Sequence, residues 1–512
     1  MKSTAFILMI ITLVSKITGL IREQFFAYYL GTGMLSDIYG TATYVPFTVF
    51  GFITAGVVAS FIPIYNKVRT EKGQRQAERF TSNLVNILFI VASLFILVMM
   101  IFTTPIVKLF ALGYTEGKLT LAVQFTRFIL LTLYATAISS VFIGYLNVHE
   151  DFITPSLTGI FMNVFLVISV MIAYKMNNFF ILAYGFVLTE FLKYMFFPKA
   201  IKKTKYKHRF FIDFNDEYIK QLLKMSLPII ASVAAVDIST MIDQSLASKL
   251  FENTHGAVAA LRFASLVLQL ISGVVVVSVT TSIYPSLSKY GNNGEYPRLK
   301  KTMMDAMISS LIFVIPAMFG IMILSVPTVR LLFQRGMFDA ESTALTAGVL
   351  FFYAPSLVGL TIKDITTRAF FAMGNSKTPV KITIVQVILD ISLNLTLSYF
   401  FGIKGLALAT SIASIVAGII TLVSFRRQYG KIGEELFIKS LSKLFIISSL
   451  MGLVTFFVFK LLAGINFFLA FVITVLLSML VYGLLLVMVN IPQVNMALRN
   501  ISRKKRNKAK RS

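Results

Sequence analysis

Apolar runs of about 20 residues, parted by short polar segments, recur along the whole of this 512-residue chain. Each is long enough to cross the ~30 Å hydrocarbon layer of a bilayer as one helix. Only 14% of the residues are charged, where a soluble domain carries about 25%. The chain therefore reads as a multi-span membrane protein. Inside lipid only helices and closed barrels satisfy the backbone, and no period-2 alternation runs through these segments, so the spans are helical. Fourteen are expected, near residues 5–30, 37–65, 81–106, 119–147, 153–174, 179–198, 218–250, 256–288, 302–326, 342–373, 378–402, 404–425, 437–463 and 466–490. Cysteine is absent, which excludes disulfides, thiolate metal sites and thiol redox chemistry. Three histidines make a histidine metal centre a poor reading, and with 20 Tyr and no Trp the interfacial aromatic belt falls largely to tyrosine.

A net charge of +26 invites a nucleic-acid reading. Its distribution argues otherwise, because no basic soluble domain with interleaved aromatics exists here. The cations sit in short segments between spans. Residues 67–79 hold Lys67, Arg69, Lys72, Arg75 and Arg79, and residues 199–209 hold Lys199, Lys202, Lys203, Lys205, Lys207 and Arg209. Further clusters lie at 289–301, 426–443 and 499–511. Counting acids, the five segments contribute +3, +6, +3, +3 and +8, which is +23 of the +26. Every cluster follows an even-numbered span, so the positive-inside rule puts both termini in the cytoplasm. Met1-Lys2 before an apolar run imitates a signal peptide, but Lys16 and Arg22 lie within it and no small-residue cleavage site follows. It reads as the first span.

An internal repeat is visible in the prolines. Ser60-Phe61-Ile62-Pro63 with Lys67 returns as Ser282-Ile283-Tyr284-Pro285 with Lys289, at an offset of 222. Pro105-Ile106-Val107-Lys108-Leu109 returns as Pro327-Thr328-Val329-Arg330-Leu331 at the same offset, and Pro155 matches Pro379 at 224. The reading is an all-α polytopic protein built from two parallel six-helix repeats plus two extra C-terminal helices. Residues 1–198 form the N-lobe, 199–217 a basic cytoplasmic linker and 218–428 the C-lobe. Residues 429–498 hold the last two spans and 499–512 a basic tail. Parallel repeats of this kind are a transporter architecture, with substrate bound between the halves.

Ionisable groups at lipid depth are costly, so each is a functional candidate. In the first span Ser15, Lys16, Gly19, Arg22 and Glu23 share one helical face, as a cavity wall would. The plainer alternative is that Lys16 snorkels to the surface and Arg22 pairs with Glu23, although neighbours along a helix face each other poorly. Arg262, in the eighth span, has no acid within a turn or two and needs a partner from another helix or a ligand anion. Asp37 suits either an acid at a helix N-terminus or a binding group. Glu190–Lys193 reads as a local i,i+3 pair, Lys363, Asp364 and Arg368 as a network of either kind, and Arg127 has no obvious partner. A second, acidic group comprises Thr383, Gln386, Asp390 and Asn394 along span eleven, with Asp243 in span seven and Thr410 in span twelve. These oxygens suit Na⁺ or a proton; the alternative is an interhelical hydrogen-bond network worth about 0.6 kcal/mol per contact. A cationic interior in a two-lobed carrier points to a large anion, because the planar fork of Arg takes two phosphate oxygens at once.

The pattern Ser15-Lys16-x-x-Gly19-x-x-Arg22-Glu23, then Gly31-Thr32-Gly33 leading to Asp37, resembles the opening of the MurJ/MviN lipid II flippases. These belong to the multidrug/oligosaccharidyl-lipid/polysaccharide exporter superfamily. Ala260-Leu261-Arg262, Pro285-Ser286-Leu287-Ser288-Lys289, Leu332-Phe333-Gln334-Arg335-Gly336-x-Phe338 and Ser376-Lys377-Thr378-Pro379-Val380 extend the likeness along the chain. The resemblance implies transport of the lipid-linked peptidoglycan precursor from the inner to the outer leaflet. On it, Arg22 and Arg262 match arginines used for the pyrophosphate, and spans 13 and 14 form a groove for the polyprenyl tail. Asp243, Asp390, Asn394 and Thr410 match a cation site of some members. Two departures stand out: Lys16 occupies a position more often Arg, and no basic residue lies between Tyr44 and Tyr65 in the second span.

The expectation is a lipid II flippase of the bacterial plasma membrane working by alternating access, not an enzyme. Arg22, Arg262 and Lys16, with Glu23 and Asp37 nearby, form its substrate site. It needs no cofactor beyond a coupling ion (Na⁺ or a proton) or the membrane potential. Lipid II and membrane lipids are its partners, with other wall-synthesis proteins as further candidates and nucleic acid excluded. The nearest rival is a flippase for another lipid-linked glycan of capsule or teichoic type. A drug/cation antiporter is disfavoured by a cationic cavity, and a non-transporting scaffold for wall synthesis stays open. An intramembrane glycosyltransferase fits poorly, because no loop exceeds about 20 residues.

Overall fold

Long apolar runs can close every backbone hydrogen bond within themselves, and among the described residues every regular element is a helix. The computed structural model describes residues 2–250, 256–489 and 491–494. The basic tail 499–511 lies outside them. The first ten helices are α1 (Lys2–Leu30), α2 (Met34–Lys72), α3 (Gln74–Ile101), α4 (Thr103–Phe110), α5 (Glu116–Ile129), α6 (Thr132–Val148), α7 (Ile153–Lys175), α8 (Phe180–Leu192), α9 (Phe197–Lys203) and α10 (Glu217–Leu250). Then come α11 (Ala257–Asn292), α12 (Tyr296–Ile323), α13 (Ser325–Phe333), α14 (Ala340–Tyr353), α15 (Ser356–Ala372), α16 (Lys377–Phe401), α17 (Ile403–Tyr429), α18 (Glu434–Leu461) and α19 (Phe467–Met488).

Among the described residues eleven segments are long and apolar enough to cross a membrane, or thirteen when each of two bent pairs counts as one span. α1 occupies the first expected span with 29 residues and is not among them. Several of the expected spans are not straight rods. The one near 81–106 is interrupted at Phe102, and those near 119–147 and 342–373 bend by 41° and 44° between α5 and α6 and between α14 and α15. The first break has a steric cause. Pro105 and its counterpart Pro327 each stand third in a short helix, and a proline ring clashes with the carbonyl four residues back. Those residues are Ile101 and Ile323, where α3 and α12 end.

By packing, the chain falls into two units, Met1–Ala260 with Phe333–Ser342, and Leu261–Leu332 with Thr343–Ser512. The division lies one long helix later than the lobe boundary drawn at 217, because α10 packs along α2. There Ser226 Oγ donates to the Gly56 carbonyl at 3.0 Å, and a Cβ on Gly56 would come within 2.8 Å of Ile230. The first unit buries aromatic layers such as Phe61, Tyr65, Phe80 and Tyr145. In the second unit α15 crosses α17 backbone to backbone, since a Cβ on Gly359 would stand 2.4 Å from the Ser414 carbonyl oxygen. Small residues at such crossings give the close packing that replaces the hydrophobic effect between helices in lipid. The last two spans pack on α12, where Tyr482 Oη donates to the Ile312 carbonyl at 2.6 Å.

Candidate functional site

Arg22 stands on α1, a side chain only 20% exposed, and a buried guanidinium needs partners. It has them. Nε and Nη2 donate to Glu23 Oε1 at 3.1 and 2.6 Å, and Nη1 donates to Asn163 Oδ1 at 3.0 Å. Asn163, on α7, turns its amide to the Ser15 carbonyl at 3.0 Å and to Thr18 Oγ1 at 3.1 Å. The pairing of Arg22 with Glu23, the plainer alternative in the sequence, is present. The long side chain folds back along its own helix, so the adjacent carboxylate is reached after all. Ser15 packs against Gly159 and Gly19 against Asn163, so this stripe is in part the α1–α7 contact. Three of the five N–H groups of Arg22 are engaged, which leaves two for a ligand anion. Lys16 is half-buried on the same helix.

Asp37 is buried on α2 and accepts three hydrogen bonds. Lys118 Nζ donates to Oδ2 at 2.9 Å, the Gly256 N–H to the same oxygen at 3.0 Å, and the Ala259 N–H to Oδ1 at 2.9 Å. Gly256 and Ala259 open α11, so the carboxylate caps a helix other than its own and sits at the positive end of its dipole. Tyr114 closes this node, its hydroxyl 2.8 Å from Thr41 Oγ1 and its ring 4.3 Å beneath Lys118 Nζ. Burial, and then the nearby Asp37 charge, pushes that phenol well above its usual range. Beside it two motifs singled out in the sequence meet. Met337 N–H donates to the Tyr28 carbonyl at 2.9 Å, and Thr32 Oγ1 donates to Ser342 Oγ at 2.7 Å. Gly31 and Gly336, at φ +56° and +57°, lie so close to the opposite segment that a Cβ would stand 2.4 Å from the Met337 carbonyl oxygen on the first and 2.4 Å from the Tyr28 carbonyl oxygen on the second. Both the conformation and the contact demand glycine.

Arg262 is half-buried on α11 in the second unit, its guanidinium 4.5 Å over the Phe263 ring. On α16, Asp390 and Asn394 are buried one turn apart, with Thr383 buried two turns before Asp390. Gln386, in the same stripe, accepts from Lys363 Nζ at 2.5 Å and reaches Ser414 Oγ at 3.5 Å, so this end of the stripe ties α15, α16 and α17 together. Thr410 donates to the Leu406 carbonyl of its own helix at 3.1 Å. Asp243 is buried on α10 in the first unit, whereas Asp390, Asn394 and Thr410 belong to the second. Among the described residues no group of three His, Cys, Asp or Glu side chains is disposed to hold a metal. The oxygens of Asp390 and Asn394 are nevertheless of the hard type that suits Na⁺. Arg127 Nε reaches Thr103 Oγ1 at 3.4 Å, and Glu190 pairs with Lys193 at 2.6 Å as expected.

Sequence reasoning missed Asn163 and Lys118, which complete the Arg22 and Asp37 nodes. A lone Asn in an apolar span was the available signal for the first. Beside the last two spans the second unit holds a cavity of about 600 Å³, lined by Pro327, Phe456, Phe459 and Phe467 with Arg330 and Lys460 among them.

The same order of elements is found in known proteins. A family profile described as "Lipid II flippase MurJ" matches residues 26–498. A probable lipid II flippase MurJ of Rickettsia prowazekii (strain Madrid E) is 27% identical over 412 residues, 80% of either chain. The lipid II flippase MurJ of Thermosipho africanus (strain TCF52B) is 28% identical over 445 residues, 86% of this chain and 88% of its own. A solved lipid II flippase MurJ, in an inward closed conformation, matches with a TM-score of 0.79 at 25% identity, over 94% of this chain and 98% of that one. An inward-facing MATE family multidrug resistance transporter of the MOP superfamily gives 0.69 at 14% identity, over 83% and 99%, a likeness of fold alone.

Proposed function

The chain belongs to the lipid II flippase MurJ family, and from that premise we propose that it carries undecaprenyl-pyrophosphate-linked peptidoglycan precursor from the inner to the outer leaflet by alternating access. It is a multi-pass membrane transporter and not an enzyme. The observation that carries the reading is a family match running from α1 to beyond α19. Fourteen spans in two six-helix repeats form the carrier. Support comes from paired irregularities: breaks at Phe102 and Leu324, bends of 41° and 44°, and Pro63 and Pro285 inside α2 and α11. The basic loops favour a plasma-membrane protein with both termini in the cytoplasm.

In this reading Arg22 and Arg262 take the pyrophosphate through their planar forks and Lys16 adds a point charge. Glu23 and Asn163 hold the Arg22 guanidinium in place, so they position rather than bind. Asp37 anchors the loops at the outer end. The aromatic cavity beside α18 and α19 is suited to the polyprenyl chain, its wall apolar apart from Arg330 and Lys460. The drive comes from the membrane potential, about 2.3 kcal/mol per charge per 100 mV, or from Na⁺ or a proton at Asp243 or at the Asp390–Asn394–Thr410 group.

The test is translocation of lipid II by the purified protein in vesicles. Arg22→Ala and Arg262→Ala should each slow it roughly 10- to 100-fold, the worth of a lost charge-assisted contact. Unchanged rates in both variants at normal folding would remove them from the site. Transport of other lipid-linked glycans but not lipid II would overturn the substrate.

A further inference from the structure

Between α9 and α10 the chain carries no helix, and from Tyr206 to Asp213 it is tied to α3 by side-chain hydrogen bonds, while the Tyr206 ring also packs on Phe142 and Tyr145 of α6. Tyr206 Oη lies 2.8 Å from Ser82 Oγ, which also accepts the Arg209 N–H at 3.2 Å. His208 Nε2 is 2.9 Å from Asn86 Oδ1. Asn86 Nδ2 donates to the carbonyls of both Arg209 and Phe211, at 2.9 and 2.8 Å. Asn83 then pairs with Asp213 in both directions at 2.8 Å. The segment climbs α3 from Ser82 to Asn86 and returns to Asn83, with Phe210 at the turn between the two carbonyls that Asn86 holds. Asn and Ser side chains here take the place of a neighbouring strand, satisfying backbone groups that would otherwise need water.

This rigid support presents an apolar tip. Phe210 is 92% exposed, with Ile212 and Phe214 at 49% and 58%. One turn beyond Asn86, Phe89 and Ile90 begin the exposed apolar face of α3, which continues through Leu94 and Leu97. Phe210 therefore stands level with the edge of the lipid-facing band. Lys202, Lys203, Lys205, Lys207 and Arg209 precede it. Aromatic residues at the acyl boundary with cations at headgroup height are the arrangement of an interfacial anchor, and the cytoplasmic leaflet supplies anionic phospholipid.

We propose that residues 205–214 are a membrane-surface anchor, in which Phe210, Ile212 and Phe214 insert at the edge of the inner leaflet while Lys205, Lys207 and Arg209 bind anionic phospholipid headgroups. The anchor rests on the orientation read from the basic loops. It would hold the segment that joins the two repeats against the bilayer.

The chain has no tryptophan, so Phe210→Trp in the full-length protein is a single indole reporter that can be excited apart from the tyrosines. In phosphatidylcholine vesicles containing phosphatidylglycerol, its emission should shift to the blue and be quenched by acyl-chain-brominated lipid. Lys205→Gln, Lys207→Gln and Arg209→Gln should each lower the ratio of inserted to water-exposed indole roughly fivefold. Emission typical of water with free quenching by acrylamide overturns the anchor. So does shielding from acrylamide without bromolipid quenching, the mark of burial against protein, or equal insertion in phosphatidylcholine alone. Lipid II translocation measured on the same vesicles separates the two readings: quenching kept while translocation is lost supports the anchor, and quenching lost while translocation persists removes it.

Discussion

Arg22 and Asp37 illustrate how a membrane interior treats charge at the level of single residues. Both were visible in the sequence as ionisable groups in or near apolar spans, and both are held by several hydrogen bonds rather than left open. What was hidden is who holds them. Asn163 is 141 positions from Arg22, and the Gly256 and Ala259 amides are 219 and 222 from Asp37. No periodicity within one helix can report a partner on another. The Asp37 node carries a stability prediction. Asp37→Asn removes the charge that compensates Lys118 and places an amide where two N–H groups point, so it should cost roughly 3–5 kcal/mol. Loss of monodisperse protein on heating in detergent measures this, and Lys118→Gln in the same chain should recover part of it. Unchanged heat resistance in Asp37→Asn would mean that the α11 cap contributes little.

Helices obey the same division between local and distant causes. Their existence follows from run length, and most of their ends lie within a few residues of the expected ones. The breaks do not follow from hydropathy, which averages over a window longer than the break itself. Nor does proline alone decide. Pro105 and Pro327 end helices four residues earlier, whereas Pro46 and Pro63 lie inside a continuous α2. At the α15–α17 crossing, Gly359→Ala forces backbone against backbone and should destabilise by about 1–3 kcal/mol. Gly51→Ala in α2, where nothing lies within 4 Å of the new Cβ, should be neutral or gain up to about 1 kcal/mol. Thermal melting of the two variants side by side checks the contrast; equal effects would mean the crossing can relax.

For the whole molecule, topology is the property most open to direct test, because a chain without cysteine accepts single cysteines as reporters. Lys72→Cys and Lys203→Cys should react with an impermeant maleimide only after the cells are opened, and Leu112→Cys and Asn178→Cys in intact spheroplasts. The reverse pattern would overturn the orientation. That the chain is helical and crosses a membrane many times was legible in the sequence because it depends on a sum along the chain, the transfer free energy over about 20 residues, and the direction expected for the spans rests on a sum of the same kind, cations counted at span ends. Only tertiary structure decided that α10 packs with the first unit and that Arg22 is braced by Glu23 and Asn163. It also decided that Asp37 caps α11 and that the 205–214 segment is stitched to α3. These outcomes turn on contacts between residues far apart in sequence, each worth about a kilocalorie per mole. Such differences exist only once the helices are side by side.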